Sequence, residues 1–558
     1  MKQIILRPDQ AILKQSVYDE WNAGHANVLA VLPTGGGKSI VTTDIILDGH
    51  QQGMTEIVMA HRNELVGQMS MHVARRGIKH RIIGSASTIA GITQEHRAEF
   101  GRSFVNPDAR CAVASVQTVV SRADQLKKWA AQVDRWTLDE SHHAIGNETV
   151  EPNLWGRAIR MFTNARGLGV TACPKRADGK GLGRHHDGPF DAMVVGPSMR
   201  ALIDLKALSD YEIAVPQSSN PLEMGDEDLT PAGDFSPKKM RKASDQSEIV
   251  GDVVLEYQKR AMGRRAICFA IDVQDATDIA NRFNEAGVPA MSVSAKTDVG
   301  VRRDAIRRFK AGQLWVLVNV DLFDEGFDVP ACDVVIMARP TASLNKYLQM
   351  AGRAMRIDPA NPNKVALIID HVSNFKRHLM PDRPRAWTLD RRDKRAKRAP
   401  DPDEIPLTAC RECSRPYERA LPRCPYCGAE PPLPAPGSRT PERVDGDLML
   451  LDRATLERLR AAMTLEAPGE VAERVGRAAG EIAGKGAANR QMERHEAQAA
   501  LRGAIEQWAG IRRHMGEEDR AAHRRFFLTT GMTVLEALAL PRAEMDSMTQ
   551  TVRGWYNG

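Results

Sequence analysis

The chain has 558 residues, too many for one hydrophobic core, so several domains are expected. Its 42% hydrophobic and 27% charged content is that of a soluble globular protein, and no run approaches the ~20 apolar residues needed to cross a bilayer. A net charge of +6 permits a polyanionic partner without requiring one.

The first ten residues, MKQIILRPDQ, hold too short an apolar stretch for a signal peptide, and a cytoplasmic location is expected. Four of the eight cysteines, Cys111, Cys173, Cys268 and Cys332, are scattered through apolar stretches. The other four cluster as Cys410, Cys413, Cys424 and Cys427. In a reducing compartment this split indicates buried thiols and one metal site.

Along residues 1–208, short apolar runs alternate with helical patterns. Strands are predicted at 28–32, 56–60, 111–115, 135–139 and 167–171, with a helix from Gly37 to near Gly49. Such alternation predicts a parallel sheet covered by helices. Residues 217–245 are polar and rich in Ser, Pro, Asp and Lys, and the inter-lobe linker is set at 209–245. Alternation resumes over 246–385, with strands at 266–270, 314–318 and 333–338 and a helix at 273–286 closed by Gly287. A basic stretch follows, with Lys or Arg at 376, 377, 383, 385, 391, 392, 394, 395, 397 and 398. It fits a grip on phosphate or a solvated charged linker equally well. Domain bounds are set at 386–404 for the basic linker, 405–432 for the cysteine cluster and 448–558 for an Ala/Arg/Glu-rich helical region.

The segment Leu32-Pro33-Thr34-Gly35-Gly36-Gly37-Lys38-Ser39 follows a strand and opens a helix. Glycines let backbone N–H groups close on a phosphate, and the helix dipole favours the anion. Lys38 would reach the β- and γ-phosphates of ATP, and Ser39 would hold Mg²⁺. At the end of another strand stand Asp139 and Glu140. Asp139 would bind Mg²⁺ through water, and Glu140 would orient and deprotonate the attacking water. For the neighbouring His142 and His143, a surface or coupling role is expected in place of a metal, because no ligand set surrounds them at metal spacing. His185 and His186 are placed on a loop. Cys410-x-x-Cys413 and Cys424-x-x-Cys427, ten residues apart and with Gly428 behind, predict a structural Zn²⁺ ribbon.

These residues resemble superfamily-two helicases, and further motifs extend the likeness over about residues 4–375. The resemblance implies two tandem RecA-like lobes of α/β class, followed by the zinc ribbon and a mostly α-helical C-terminal module. Arg7-Pro8-Asp9-Gln10 resembles the family's Arg-Pro-x-Gln motif, in which the glutamine reads adenine. Ala60-His61-Arg62-Asn63-Glu64-Leu65 and Ser115-Val116-Gln117-Thr118 resemble its first strand-contact motifs. Thr171-Ala172-Cys173-Pro174 resembles the motif that couples hydrolysis to movement, with Cys173 in place of the usual Thr. Residues 319–330, with Gly326 and Asp328 at the nucleotide, are similar to the fifth motif. Gln349 to Arg356 is similar to the sixth, where Gln349 is catalytic and Arg353 and Arg356 would be arginine fingers. The implied strand contacts are His61, Arg62, Ser115, Gln117, Thr118 and Thr341.

Within the superfamily the likeness is to RadD-type and phage-encoded DNA helicases, related to XPB-like motors. It rests on residues 176–183 and 339–344 and on the cysteine cluster. Asp-Glu-Ser-His and Thr-Ala-Cys-Pro replace the Asp-Glu-Ala-Asp and Ser-Ala-Thr usual in RNA-type relatives. The implied function is an ATP-dependent DNA helicase in replication, recombination or repair, acting on single-stranded or branched DNA. A duplex translocase, an RNA helicase and a non-enzymatic scaffold remain as alternatives, and a protein partner through the C-terminal region is left open.

Overall fold

The computed structural model describes residues 4–60, 63–216, 228–230, 233–240, 253–320, 332–383 and 385–391. Beyond these it describes 407–409, 416–418, 423, 428–429, 448–453, 456, 469, 471–473, 481–514, 526, 529–530, 534–538, 540 and 542–557.

The first lobe is a seven-stranded sheet. Its strands are β1 (Asn27–Val31), β2 (Glu56–Ala60), β3 (His80–Ile83), β4 (Cys111–Ser115), β5 (Arg135–Leu138), β6 (Arg166–Thr171) and β7 (Ala192–Val195). They lie in the order β3-β4-β2-β5-β6-β1-β7, and every pair is parallel. Parallel strands need crossovers, and the helices in those crossovers cover both faces. β1, β2, β4 and β5 are accordingly buried along their whole length. At Gly167 a Cβ would stand 2.1 Å from the Trp136 ring, so the close fit of β6 on that indole requires glycine. The Glu56–Arg135 ion pair is buried at the strands' N-terminal edge, and Arg135 also donates to the Ile45 carbonyl.

The second lobe is a second seven-stranded sheet. It contains β8 (Tyr211–Pro216), β9 (Ala266–Phe269), β10 (Ala290–Ser294), β11 (Val316–Val320), β12 (Val334–Met337), β13 (Ala366–Asp370) and a late strand. The chain makes a hairpin pair of β14 (Leu407–Ala409) and β15 (Pro416–Glu418) before that late strand, β16 (Leu448–Leu451). The order is β10-β11-β9-β12-β13-β8-β16, parallel except for β16 against β8. The expected pair of RecA-like lobes is therefore present.

Two boundaries differ from the sequence reading. β8 lies inside the stretch read as a linker at 209–245, yet it pairs with β13 from Tyr211 onward. β16 lies in the stretch read as helical from 448, yet it edges the second sheet. In both cases the partner strand is remote in sequence, so no local pattern reveals the pairing.

The chain leaving the second lobe returns to the first. Leu389 accepts from the N–H groups of Leu182 and Gly183, each at 2.9 Å. Arg391 clasps the carboxylate of Asp187, which is only 3% exposed. Trp387 packs against the cores of both lobes. Part of the basic stretch thus serves the fold, because Arg385 donates to the carbonyls of His378, Met380, Pro381 and Arg383. Residues 392–398 of that stretch lie outside the described residues.

The C-terminal region is helical, as expected. The 34-residue helix Glu481–His514, about 51 Å long, packs on Arg542–Asn557 and Val534–Leu538. Trp508, Phe526 and Trp555 form an aromatic cluster there, the two indoles 5.2 Å apart edge to face. Among the described residues no helix is long and apolar enough to cross a membrane. Cys410, Cys413, Cys424 and Cys427 lie outside the described residues.

Candidate nucleotide cleft between the lobes

The glycine-rich loop joins β1 to the helix Lys38–Gln51, at the C-terminal edge of the first sheet. Gly35 and Gly37 adopt φ of +81° and +98°, a region that other residues rarely enter. These angles turn the backbone into the cradle that the sequence predicts. Lys38 Nζ is 3.4 Å from the Leu32 carbonyl, folded over the loop, and Ser39 occupies the first turn of the helix.

The helix Pro8–Asn22 braces this loop. Arg7 and Gln10 both donate to the Gly36 carbonyl, at 2.9 and 3.3 Å, and Gln10 Oε1 accepts from the Arg7 N–H. Both ends of the Gln10 amide are thus engaged with the loop and its own helix start.

Asp139 and Glu140 follow β5 directly. Asp139 Oδ1 accepts from the Glu140 N–H at 3.0 Å. Glu140 has φ +49°, a left-handed conformation that costs a non-glycine residue energy. The residues around it hold this turn, since Ser141 Oγ donates to the Leu138 carbonyl at 2.5 Å and His142 packs in the core.

The second lobe meets the loop through the helix Leu344–Ala354. At Gly352 a Cβ would stand 2.7 Å from Thr34 Cβ, so glycine is what lets this helix reach the loop. Gly35 lies equally close to Leu208, and Arg356 Cγ is beside it. Gln349 and Arg353 are buried on the same side of this helix, one turn apart. Both polar atoms of the Gln349 amide, and the Thr34 hydroxyl, are buried with no hydrogen-bond partner among the described residues. Such groups cost about 1–3 kcal/mol each; Thr34 belongs to the loop and Gln349 to the helix that reaches it at Gly352. The donor set fits a nucleotide and its cation: loop N–H groups, a lysine, a hydroxyl, two carboxylates and arginines from the opposite lobe.

Two family models match: "Type III restriction enzyme, res subunit" over residues 3–176 and "Helicase conserved C-terminal domain" over 245–358. The chain belongs to the superfamily-two helicases. A protein of this superfamily uses ATP and Mg²⁺ to work on nucleic acid. A Lactococcus phage (isolate 7-9) relative, a 51.5 kDa protein, is 29% identical over 71% of this chain and 76% of its own length. The Saccharomyces cerevisiae protein IRC3, whose name describes an ATP-dependent helicase, is 25% identical over 63% of this chain and 50% of its own. The DNA 3'-5' translocase XPB2 of Sulfurisphaera tokodaii is 30% identical over 23% of this chain and 26% of its own.

For this helicase the remaining expected residues divide three ways. Ser115 is buried at the end of β4, where its hydroxyl caps the next helix through the Thr118 N–H, while Gln117 is exposed and Thr118 half-buried. His61, Arg62, Gly326 and Asp328 lie outside the described residues. Thr341, expected at the nucleic-acid strand, is 1% exposed and its hydroxyl bonds Asp234 at 3.0 Å. Asp234 also accepts from the Ala342 N–H. Burial raises its pKa, but nearby Lys346 and Arg339 together with backbone N–H groups hold it below the usual carboxylate range. Asp234 comes from the stretch read as a linker, so sequence offered no hint that Thr341 was covered.

Thr171 ends β6, Ala172 follows it, and both are buried. His142 lies beside Thr171, which supports the coupling option and not the surface one. His185 and His186 are on a loop, as expected, and both face Asp390 Oδ1, at 2.7 and 3.5 Å. Sequence reasoning missed Asp390, which stands 205 residues beyond His185 in the chain.

Proposed function

We propose that this helicase is a DNA motor, acting on single-stranded or branched DNA in replication, recombination or repair. The observation that carries the reading is the junction itself. The phosphate loop of one lobe meets the other lobe at Gly352 and Arg356, on and just after the helix that carries Gln349 and Arg353, and the buried Gln349 amide is left to be satisfied by what binds there.

In this reading the N–H groups of Gly35, Gly36 and Gly37 and the Lys38 ammonium hold the β- and γ-phosphates. Pro33 and Thr34 shape the loop, and Arg7 and Gln10 fix its position beside the adenine. Ser39 and Asp139 hold Mg²⁺, which neutralises phosphate charge when bound. Glu140 orients the attacking water and takes its proton. Gln349 bonds that water or the γ-phosphate, and Arg353 and Arg356 stabilise charge as the transition state forms. Gly326 and Asp328 are assigned to the nucleotide by family resemblance alone.

ATP bridges the lobes, and losing the γ-phosphate lets them part. Thr171 and Ala172 pass that change to the strand. His61, Arg62, Gln117 and Thr118 are the strand contacts, and Ser115 supports Thr118 from below. Backbone contacts of this kind carry no sequence preference. Cys410, Cys413, Cys424 and Cys427 bind one structural Zn²⁺. Their spacing supports it, as does the β14–β15 hairpin, which flanks Cys410 and Cys413 in the chain.

DNA is favoured by Asp-Glu-Ser-His and Thr-Ala-Cys-Pro in the motifs that differ in RNA-type relatives. The test is ATP turnover with no nucleic acid, single-stranded, duplex or forked DNA, or RNA, alongside Glu140→Gln. Stimulation by DNA that the substitution abolishes supports the reading, whereas stimulation by RNA alone overturns the choice of DNA.

A further inference from the structure

His185 and His186 follow one another on a loop of the first lobe, and both rings turn toward Asp390, on the chain that returns from the second lobe. Their Nε2 atoms lie 2.7 and 3.5 Å from the same oxygen, Asp390 Oδ1. The ring centroids are 4.6 Å apart, and one donor atom from each of the three residues lies within 4.8 Å of the other two. No other three such donors converge in this way among the described residues.

The backbone on both sides is held without help from these side chains. The His186 N–H donates to the Gly183 carbonyl at 3.0 Å. The buried Asn147 amide donates to the carbonyls of Arg184 and His186, each at 2.8 Å. At Gly183 a Cβ would stand 2.3 Å from the His185 ring, so glycine there makes room for the imidazole. Asp390 lies between two anchors: the Leu389 carbonyl, which accepts from Leu182 and Gly183, and the Arg391 guanidinium on Asp187. The Thr388 hydroxyl donates to Asp390 Oδ2, leaving Oδ1 to the histidines. Carboxylates that bind metals are steadied by bonds of this kind.

An ion pair needs one imidazolium per carboxylate, and a second beside it would repel the first. Two neutral rings instead offer two nitrogen lone pairs next to an anionic oxygen, the donor set of a borderline divalent ion such as Zn²⁺. At metal–ligand distances of about 2.0–2.1 Å, tetrahedral neighbours stand about 3.3 Å apart. The observed 2.7 and 3.5 Å fall on either side of that spacing. The side chains of His185, His186 and Asp390 are 55%, 35% and 56% exposed, so an ion reaches them and they are free to adjust around it. The neighbouring arginines are already matched, Arg184 with Asp191 at 2.7 Å and Arg391 with Asp187.

We propose that His185, His186 and Asp390 form a site for a divalent transition ion of the Zn²⁺ class, with water completing its coordination. The ligands come from segments 205 residues apart. An ion held there ties the chain leaving the second lobe to the first, close in sequence to Trp387, which packs on the cores of both. None of the three residues belongs to the proposed ATP site or to the cysteine cluster.

The test is calorimetric titration of the full chain with Zn²⁺, without nucleotide, after dialysis against a weak chelator. Wild type, His186→Ala, Asp390→Asn and Cys424→Ser are compared. Wild type is expected to show an uptake of about one Zn²⁺ per chain that persists in Cys424→Ser. Its affinity is expected to fall by about tenfold or more in His186→Ala and in Asp390→Asn. Added Zn²⁺ is expected to raise the melting temperature of wild type more than that of either of these two variants. No uptake by wild type, an uptake unchanged by both substitutions, or one lost only in Cys424→Ser would overturn the proposal.

Discussion

Gly352→Ala isolates the contact between the lobes from the stability of each. The added methyl would stand 2.7 Å from Thr34 Cβ and 2.8 Å from its Cγ2. Carbon atoms in ordinary contact are about 3.5–4.0 Å apart, so helix or loop must yield by most of an ångström. The loop is backbone pinned by Arg7 and Gln10, and the helix carries Gln349 and Arg353. Overpacking of this kind costs about 1–3 kcal/mol, and as a loss of lobe closure it corresponds to about 5- to 150-fold. Within the helix the effect has the opposite sign, because alanine is favoured over glycine by about 1 kcal/mol. The expected result is an unchanged or slightly raised melting temperature with DNA-stimulated kcat reduced at least about fivefold. Steady-state turnover and a thermal melt on the same preparation measure both. Full kcat in the alanine variant would refute the argument that close approach at Gly352 builds the site.

Arg135→Ala should destabilise the first lobe by about 3–5 kcal/mol in denaturant titration, because Glu56 would be left buried without its cation. His80 is buried against Ser70 and the Ile78 carbonyl, and burial lowers its pKa to about 4. An unfolded histidine titrates near ~6.5, so between these values the unfolded chain binds more protons. Stability should therefore be fully present above about pH 6.5 and fall as pH drops toward about 4. His80→Leu should flatten that slope, and an unaltered slope would place its origin elsewhere. Cys424→Ser should lower zinc content from about one ion per chain, measured by elemental analysis; unchanged content would count against the ribbon.

What was legible in the sequence was local. The phosphate loop, the Asp139–Glu140 pair and the Gln349–Arg356 run each lie within a few consecutive residues, so their chemistry and spacing are visible together. Strands such as β2 and β4 were predicted to the residue, because burial on both faces makes them continuous apolar runs. β3 was missed because His80 and Arg81 interrupt that pattern, and His80 is accommodated by Ser70 at 2.6 Å, on the helix that precedes the strand. β8 was hidden by the polar stretch that follows it, and its partner β13 lies some 150 residues on. Thr341 sits in the expected motif, but its exposure was decided by Asp234. Arg385 looked like part of a phosphate grip, yet its guanidinium ties together the carbonyls of its own loop. The outcomes at β8 and Thr341 depend on which distant segment arrives beside the residue.

The most direct test of the two-lobe ATP site is to measure ATP binding and ATP turnover side by side for wild type, Glu140→Gln and Arg353→Ala with forked DNA. Both variants should bind a fluorescent ATP analogue within a few-fold of wild type. Turnover should fall by about 10³ or more in Arg353→Ala and be abolished in Glu140→Gln. Wild-type turnover in Arg353→Ala would mean that the second lobe supplies no charge to the reaction, and the account of a shared site would be contradicted.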